Sequence, residues 1–189
     1  MFASLISGKT YIPINANTPK KRIETIIDIS KTDLIITSRK KIHSDAIILE
    51  PKNIKKIKIV KKFKIKKSNK DAYIIFTSGS TGNRKGVMLT HKNLISNTNS
   101  IIEYLSLTSS DRMNVTLPFT YTYGLSLLHT HLKVGASIYL HCSSSLGTLI
   151  SEIEDYECTG LAGVPITFQV LINRTSFLKE KFPTLKYIT

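Results

Sequence analysis

Residues 73–87 read Tyr73-Ile-Ile-Phe-Thr-Ser-Gly-Ser-Thr-Gly-Asn-Arg-Lys-Gly-Val87. A run of β-branched and aromatic residues, typical of a strand, gives way to hydroxyl side chains, glycines and two cations. Small residues let successive backbone N–H groups point into one concavity, which suits an anion. Hydroxyl groups add donors, and Lys85 adds a positive charge for phosphate oxygens. The stretch therefore predicts a phosphate-binding loop that follows a strand.

Two well-known phosphate loops do not fit this stretch. A Walker A loop fails because Arg84 stands where its second glycine is needed, and because Gly86 follows Lys85. The dinucleotide pattern Gly-x-Gly-x-x-Gly fails because the glycines fall at positions 79, 82 and 86. A polar β-turn between two strands remains the alternative that composition alone allows.

The segment from Thr77 to Gly86 resembles the signature loop of the adenylate-forming (AMP-binding) superfamily, which includes acyl-CoA synthetases, adenylation domains and luciferases. The family pattern is Ser/Thr-Ser-Gly-Ser/Thr-Thr-Gly-x-Pro-Lys-Gly. Arg84 stands where proline is usual, and this exchange removes no hydrogen-bond donor. The resemblance implies ATP and Mg²⁺ as cofactors. It also implies that these residues bind the ATP phosphates: Thr77, Ser78, Gly79, Ser80, Thr81, Gly82 and Lys85.

Three further segments resemble the same superfamily and occur in the same order. Gly8–Arg22 resembles its Gly-x-x-Tyr-x-Pro segment, with Asn15 where aspartate is usual. Leu117–Leu125 resembles the segment beside the acyl pocket, and Leu161–Thr167 resembles a strand-to-helix turn. The implied acyl-pocket candidates are Tyr121 (where many acyl-CoA synthetases carry histidine), Tyr123 and Gly124. Ordinary core aromatics are the alternative for the two tyrosines.

The resemblance implies a ligase that joins a carboxylic acid to ATP and forms an acyl-adenylate. A thiol or amine acceptor, such as coenzyme A or a carrier protein, then takes the acyl group. In that superfamily the adenine, ribose and lid motifs follow a strand like Leu185–Thr189, so we expect residues 1–189 to be an incomplete AMP-binding N-terminal domain. We also expect residues 1–189 to lack the C-terminal lid of the superfamily. No residue within them is assigned a catalytic role. Whether the chain is itself an enzyme, or an inactive phosphate-binding module, stays open.

The net charge of +14 is concentrated in one lysine-rich excursion. Lys52–Lys70 contains ten lysines and no acidic residue. Ile57, Ile59, Phe63 and Ile65 alternate with lysines there, which predicts one or two strands with a solvated face. Arginine and tyrosine, which suit phosphate forks and base stacking, are missing from the run. The composition therefore favours a solvated face over a nucleic-acid surface, and polyanion binding is the alternative.

Composition and spacing also predict a cytoplasmic protein without a metal site. No apolar run reaches the ~18 residues that span a membrane, and the start lacks a basic leader. Cys142 and Cys158 lie far apart without metal-ligand spacing. His129 and His131 lie two residues apart, which places them on different faces of a helix.

Strands alternate with helices along the chain, which predicts an α/β fold with a mostly parallel sheet flanked by helices. Thr90 is a plausible N-cap for the helix that follows it. The strands at 33–37 and 46–49 are expected to be buried. The predicted strands are Tyr11–Ile14, Asp33–Thr37, Ala46–Leu49, Met113–Leu117, Ala136–Leu140, Thr159–Val164 and Leu185–Thr189. The predicted helices are Pro19–Ser30, His91–Leu105, Leu125–Val134, Leu146–Ile153 and Pro165–Asn173.

Overall fold

The computed structural model of the chain describes residues 1–39, 42, 44–52, 71–77 and 85–189. The chain forms two compact units, Met1–Met88 and Leu89–Thr189. The strands predicted within the lysine-rich excursion fall at positions 53–70, and these positions lie outside the described residues.

Among its described residues, the first unit contains two helices and two pairs of strands. Helix α1 (Phe2–Ile6) and helix α2 (Lys20–Ser30) precede strands β1 (Leu34–Ile36), β2 (Ile47–Leu49), β3 (Asp71–Thr77) and β4 (Lys85–Thr90), the last of which crosses into the second unit. Strands β1 and β2 are parallel, and β3 and β4 are hydrogen-bonded neighbours. The strand predicted at 11–14 is reduced to a single parallel bridge between Tyr11 and Tyr73.

Helix α2 follows the sequence prediction closely. Pro19 stands directly before it, where the fixed φ of proline suits a helix start. Ile23, Ile26 and Ile27 are buried, and their spacing places them on one face. The helix ends at Lys31, which adopts a left-handed conformation with φ of 48°. The predicted apolar stripe through Ser30 is therefore confirmed.

The predicted burial of β1 and β2 was wrong. Leu34 is 46% exposed, Ile36 is 53% exposed and Ile47 is 66% exposed. Their apolar, β-branched composition is typical of strands, and both strands do form. Burial additionally needs a second layer packed on the strand face. Composition within one short segment carries no information about that layer.

The second unit contains a four-stranded sheet with helices on both faces. Its strands run in the order β6-β5-β7-β8, and every neighbouring pair is parallel. This sheet confirms the predicted α/β class. The elements are α3 (His91–Leu105), β5 (Arg112–Val115), α4 (Thr122–Val134), β6 (Ser137–Leu140), a 3₁₀ turn (Leu146–Thr148), α5 (Leu149–Asp155), β7 (Gly160–Ala162), α6 (Pro165–Arg174) and β8 (Tyr187–Ile188).

Helices α4 and α5 cover opposite faces of this sheet. Met113 and Ala162 pack with Leu127 of α4 on one face. Leu161 packs with Leu149 of α5 on the other face. The chain leaves β5 for β6 on one side and then crosses back to β7 on the other. Ligands of open α/β sheets bind at the carboxyl ends of the strands where the order reverses in this way.

Helix α3 begins with a reciprocal capping box. The Thr90 hydroxyl accepts a hydrogen bond from the Asn93 backbone N–H at 3.2 Å, and Asn93 Oδ1 accepts one from the Thr90 N–H at 3.0 Å. The predicted N-cap is therefore confirmed.

Thr90→Ala is expected to lower the free energy of unfolding by about 1 kcal/mol, because it leaves a helix N–H without its partner. Urea denaturation measures the change. Asn97→Ala on the exposed side of α3 is the control, and an equal loss there would contradict a capping role.

Candidate functional site

The predicted phosphate loop is bounded by two neighbouring strands of the first unit. Strand β3 ends at Thr77 and β4 begins at Lys85, so residues 78–84 connect them. The side chains of Thr77 and Lys85 are exposed, and no described residue forms an ion pair with Lys85. Of the loop candidates, these two can be located. Ser78, Gly79, Ser80, Thr81 and Gly82 lie outside the described residues.

Gly86 has a packing reason to be glycine. A Cβ atom at this position would lie 2.8 Å from Cγ2 of Ile74 and 3.3 Å from the ring of Phe76. Real Cβ atoms do not approach other heavy atoms to the shorter of these distances. Gly86, the residue after Lys85, therefore lets β4 lie close against β3.

In the second unit, the carboxyl ends of three strands are tied together. The Thr116 hydroxyl, just after β5, donates to the Ala162 carbonyl at 3.0 Å. The backbone N–H of Gly163 donates to the Thr189 carbonyl at 2.9 Å, so the end of β7 is joined to the end of β8. This edge of the sheet is the position where an open α/β sheet binds its ligand.

Two of the acyl-pocket candidates lie at this edge in different environments. Tyr121 occupies the N-cap position of α4 without a side-chain capping hydrogen bond. It is 58% exposed, so its ring is accessible to a ligand. Tyr123 is half-buried, packs against the cluster around Met113, and donates its hydroxyl to Thr189 Oγ1 at 2.9 Å. Tyr123 therefore connects α4 to the end of β8, whereas Tyr121 is the more accessible of the pair.

Gly124, the third acyl-pocket candidate, is buried in the first turn of α4. A Cβ atom here would lie 2.4 Å from the carbonyl oxygen of Pro118 and 2.8 Å from its carbon. The helix therefore starts in van der Waals contact with the chain that leaves β5. The structure gives Gly124 a packing role, whether or not it also lines a pocket.

Sequence analysis missed two buried carboxylates. Asp111 precedes β5 and is 3% exposed, and Glu152 lies on α5 and is 8% exposed. A weak signal exists for Glu152, because it lies between Leu149 and Ile153 at the spacing of the buried helix face. Asp111 follows Thr108 at a spacing of three, which is common where a side chain closes a turn.

The histidine and cysteine candidates have structural surroundings. His131 is fully buried: its Nδ1–H donates to the Leu127 carbonyl at 2.8 Å, and its Nε2 accepts from the Tyr187 hydroxyl at 3.1 Å. Burial lowers the pKa of His131. Cys142 and Cys158 are both free thiols, and burial raises the pKa of Cys158 to about 11. Among the described residues, no group of three or more histidine, cysteine or acidic side chains could hold a metal ion.

None of the helices in the described part of the chain has the length and apolar character needed to cross a membrane.

Comparison with known proteins gives a consistent set of relatives. The model of the family described as AMP-binding enzyme matches residues 1–189. Gramicidin S synthase 1 of Brevibacillus brevis is 31% identical over 165 residues, which cover 82% of this chain and 15% of that protein. A D-alanine–D-alanyl carrier protein ligase of Streptococcus equi is 29% identical over 202 residues, covering 99% of this chain and 40% of the ligase.

A solved structure shows the same fold. The o-succinylbenzoate CoA synthetase of Bacillus subtilis, in complex with its acyl-adenylate intermediate, superposes with a TM-score of 0.87 at 21% identity. The match covers 98% of this chain and 50% of the synthetase. The chain thus spans half or less of the length of each of these three proteins.

Proposed function

Because the chain belongs to the family of AMP-binding enzymes, whose model matches residues 1–189, we propose that it forms part of an ATP-dependent acyl-adenylate-forming ligase. The extent of that match is the observation that carries the proposal. A carboxylic acid is the substrate, and a thiol or amine, carried by coenzyme A or a carrier protein, accepts the acyl group. Residues 1–189 then belong to one AMP-binding N-terminal domain, of which 52–70 is an excursion.

Thr77, Ser78, Gly79, Ser80, Thr81, Gly82 and Lys85 bind the ATP phosphates in this proposal. The exposed ammonium group of Lys85, without an ion-pair partner in the described part of the chain, supports it. Mg²⁺ usually binds to nucleotide phosphates with few protein carboxylates, so a preformed acidic cluster is not required. The bound ion supplies positive charge that offsets the charge on the phosphate oxygens. Lys85 supplies a second, protein-borne charge, and Thr77 a hydroxyl donor.

Tyr121, Tyr123 and Gly124 shape the acyl side of the site in this proposal. The exposed ring of Tyr121 at the carboxyl edge of the sheet supports its role as a contact for the acid. The hydroxyl of Tyr123 is already hydrogen-bonded to Thr189, so Tyr123 contributes apolar ring surface and fixes the start of α4. Gly124 keeps that helix start close to Pro118.

Carboxylate-dependent exchange of pyrophosphate into ATP tests whether this chain activates an acid by itself. The 189-residue chain is incubated with Mg-ATP, labelled pyrophosphate and a panel of carboxylic acids. Exchange that requires both the chain and one acid shows adenylation. Binding of Mg-ATP without exchange for any acid instead identifies an inactive phosphate-binding module.

Lys85→Ala is expected to weaken Mg-ATP binding by roughly 10- to 100-fold, because a charge-assisted hydrogen bond contributes about 1.5–3 kcal/mol. Titration calorimetry at fixed ionic strength measures the dissociation constant. Lys92→Ala removes an exposed lysine from α3 and is the matched control, with an expected change of less than about twofold. Equal weakening by both substitutions would show that only general charge is involved.

A further inference from the structure

The Glu152 side chain lies at the centre of a buried polar cluster in the second unit. Asn114 Nδ2 donates to Glu152 Oε2 at 3.1 Å. His141 Nδ1 lies 2.9 Å from Oε2 and 3.0 Å from Oε1 of the same carboxylate. The Thr148 hydroxyl donates to Oε1 at 3.2 Å. The cluster, defined by Asn114, His141 and Glu152, joins β5, the end of β6 and α5, and the exposed Thr148 of the 3₁₀ turn borders it.

Both ionisable groups of the cluster are shielded from water. The side chains of His141 and Glu152 are 6% and 10% exposed. Among the described residues, Glu152 has no lysine or arginine as an ion-pair partner. A buried carboxylate needs a compensating charge, and His141 is the group in contact that can carry one. The pair is therefore neutral when it holds one proton in total, and a bare charge is buried when it holds none or two.

The cluster is only partly satisfied in its hydrogen bonding. Asn114 Oδ1 and His141 Nε2 are buried and have no hydrogen-bond partner among the described residues. Each unpaired buried polar group is unfavourable by roughly 1–3 kcal/mol, so the cluster adds less to stability than a fully paired network would.

We propose that the Asn114–His141–Glu152 cluster is a proton-operated latch, which holds residues 141–155 on the sheet while the His141–Glu152 pair carries one proton. Loss of that proton leaves an uncompensated carboxylate under α5, and gain of a second leaves an uncompensated imidazolium. In either state the segment opens and both groups reach water.

Two titratable side chains beside the cluster, Tyr139 and Cys158, stay protonated near neutral pH. The pKa of Tyr139 on β6 is raised to about 12, and its hydrogen bond with Tyr156 is the largest cause. Burial and the charge of Glu152 also raise this pKa. The buried thiol of Cys158, behind α5, also stays protonated, with its pKa raised to about 11. Arg112 lies on β5, two residues before Asn114. Cys142 is exposed and adjoins His141 in sequence. Histidine is the residue type that ordinarily changes charge between pH 5 and 8.

The direction of the pH effect follows from proton counts. In an unfolded chain, glutamate ionises near pH ~4.3 and histidine near pH ~6.5. In Glu152→Gln the closed state excludes a proton that the open state binds, so closure strengthens as pH rises from 5 to 6.5. In His141→Gln the closed state retains a proton on Glu152 that the open state releases, so closure weakens over the same range. Each limiting slope is about tenfold in the opening constant per pH unit.

Hydrogen exchange of the full 189-residue chain, read by mass spectrometry on peptides within 141–155, tests these slopes. Exchange rates are first corrected for their intrinsic dependence on pH. Between pH 5 and 6.5 we expect the corrected opening constant to fall in Glu152→Gln, to rise in His141→Gln, and to stay nearly level in the parent. Glu154→Gln, at an exposed position on α5, is the control and should follow the parent. Slopes of the same sign in the two cluster variants would overturn the latch.

A measurement on the unmodified chain applies even when a variant does not fold. Nitrogen-15 spectra of the His141 ring report its protonation directly as pH is raised from 5 to 9. We expect the ring to lose its proton together with a rise in opening of 141–155 of at least about tenfold. Deprotonation without any change in exchange of this segment would overturn the proposal. Neither hydrogen exchange nor the nitrogen-15 spectra require ATP or a carboxylic acid. The outcome of both measurements is therefore independent of the proposed ligase activity.

Discussion

Gly124→Ala is expected to lower the free energy of unfolding of the Leu89–Thr189 unit by about 3 kcal/mol. The added methyl group would lie 2.4 Å from the carbonyl oxygen of Pro118, which is far inside van der Waals contact. That oxygen belongs to the backbone and accepts a hydrogen bond from the Tyr121 N–H at 3.2 Å. Moving this oxygen away would break the turn that precedes α4. The strain therefore cannot be relieved by a small shift of a side chain.

Urea denaturation at neutral pH, followed by circular dichroism, measures this loss. Gly147→Ala is the matched control, because a Cβ atom there meets only the flexible Ser145 hydroxyl at 3.3 Å, on an exposed turn. The control should change stability by less than about 1 kcal/mol. Equal stability of Gly124→Ala and the parent would show that Gly124 is not needed for packing, and would leave a pocket-lining role as its remaining explanation.

The same substitution separates packing from specificity. If Gly124 only lines an acyl pocket, alanine leaves the fold intact and changes which acids bind. If it positions the start of α4, the contact between Tyr123 and Thr189 is disturbed as well. Protection of the α4 amides from hydrogen exchange distinguishes the two, since it falls only in the second case.

Local periodicity explains the parts of the fold that could be predicted. The apolar stripe of α2, the full span of α3 and its Thr90 cap all depend on residues within a few positions of one another. Alternation of strands and helices was enough to indicate the parallel sheet of the second unit. Helix α4 starts at Thr122 rather than at the predicted Leu125, because its first turn is set by contact with Pro118.

Contacts between distant segments explain what could not be predicted. The exposure of β1 and β2 depends on the layers around them, which their own apolar composition does not determine. Asn114 and Glu152 are separated by 38 positions, and only the crossing of α5 over β5 brings them together. For the candidate site, the glycine-hydroxyl loop stays a prediction from family resemblance, because Ser78–Gly82 lie outside the described residues. The position of Tyr121 at the carboxyl edge of the sheet could not be predicted without the strand order.

Asp111→Asn is expected to destabilise the second unit by about 2 kcal/mol at neutral pH. The Asp111 carboxylate is buried and accepts hydrogen bonds from the Thr108 N–H at 2.7 Å, the Thr159 hydroxyl at 3.0 Å and Lys186 Nζ at 3.0 Å. These contacts join the start of β5 to the segments that begin β7 and β8. Asparagine keeps the shape of the side chain but removes the charge. Its amide NH₂ group would also face the N–H and O–H groups that now donate to the carboxylate.

The pH dependence of this loss has a definite sign. Burial alone would raise the pKa of Asp111, but its hydrogen bonds from Thr108, Lys186 and Thr159 outweigh burial and lower the pKa from 3.8 to about 2. A lowered carboxyl pKa gives stability that is fully present above the unfolded value. That stability is lost as pH falls through the folded value. The difference between the parent and Asp111→Asn should therefore be constant from pH 7 to about 5, shrink below about 4, and nearly vanish at about 2.

Denaturant unfolding of both proteins at a series of pH values measures this difference. Asp155→Asn, at the exposed end of α5, is the matched control and should stay within about 0.5 kcal/mol of the parent throughout. A gap between the parent and Asp111→Asn that persists unchanged down to pH 2.5 would mean that side-chain fit, and not the ionised carboxylate, holds the strands together. A gap that closes with acid instead assigns the stabilisation to the charge, because protonated Asp111 and asparagine are both neutral and similar in size.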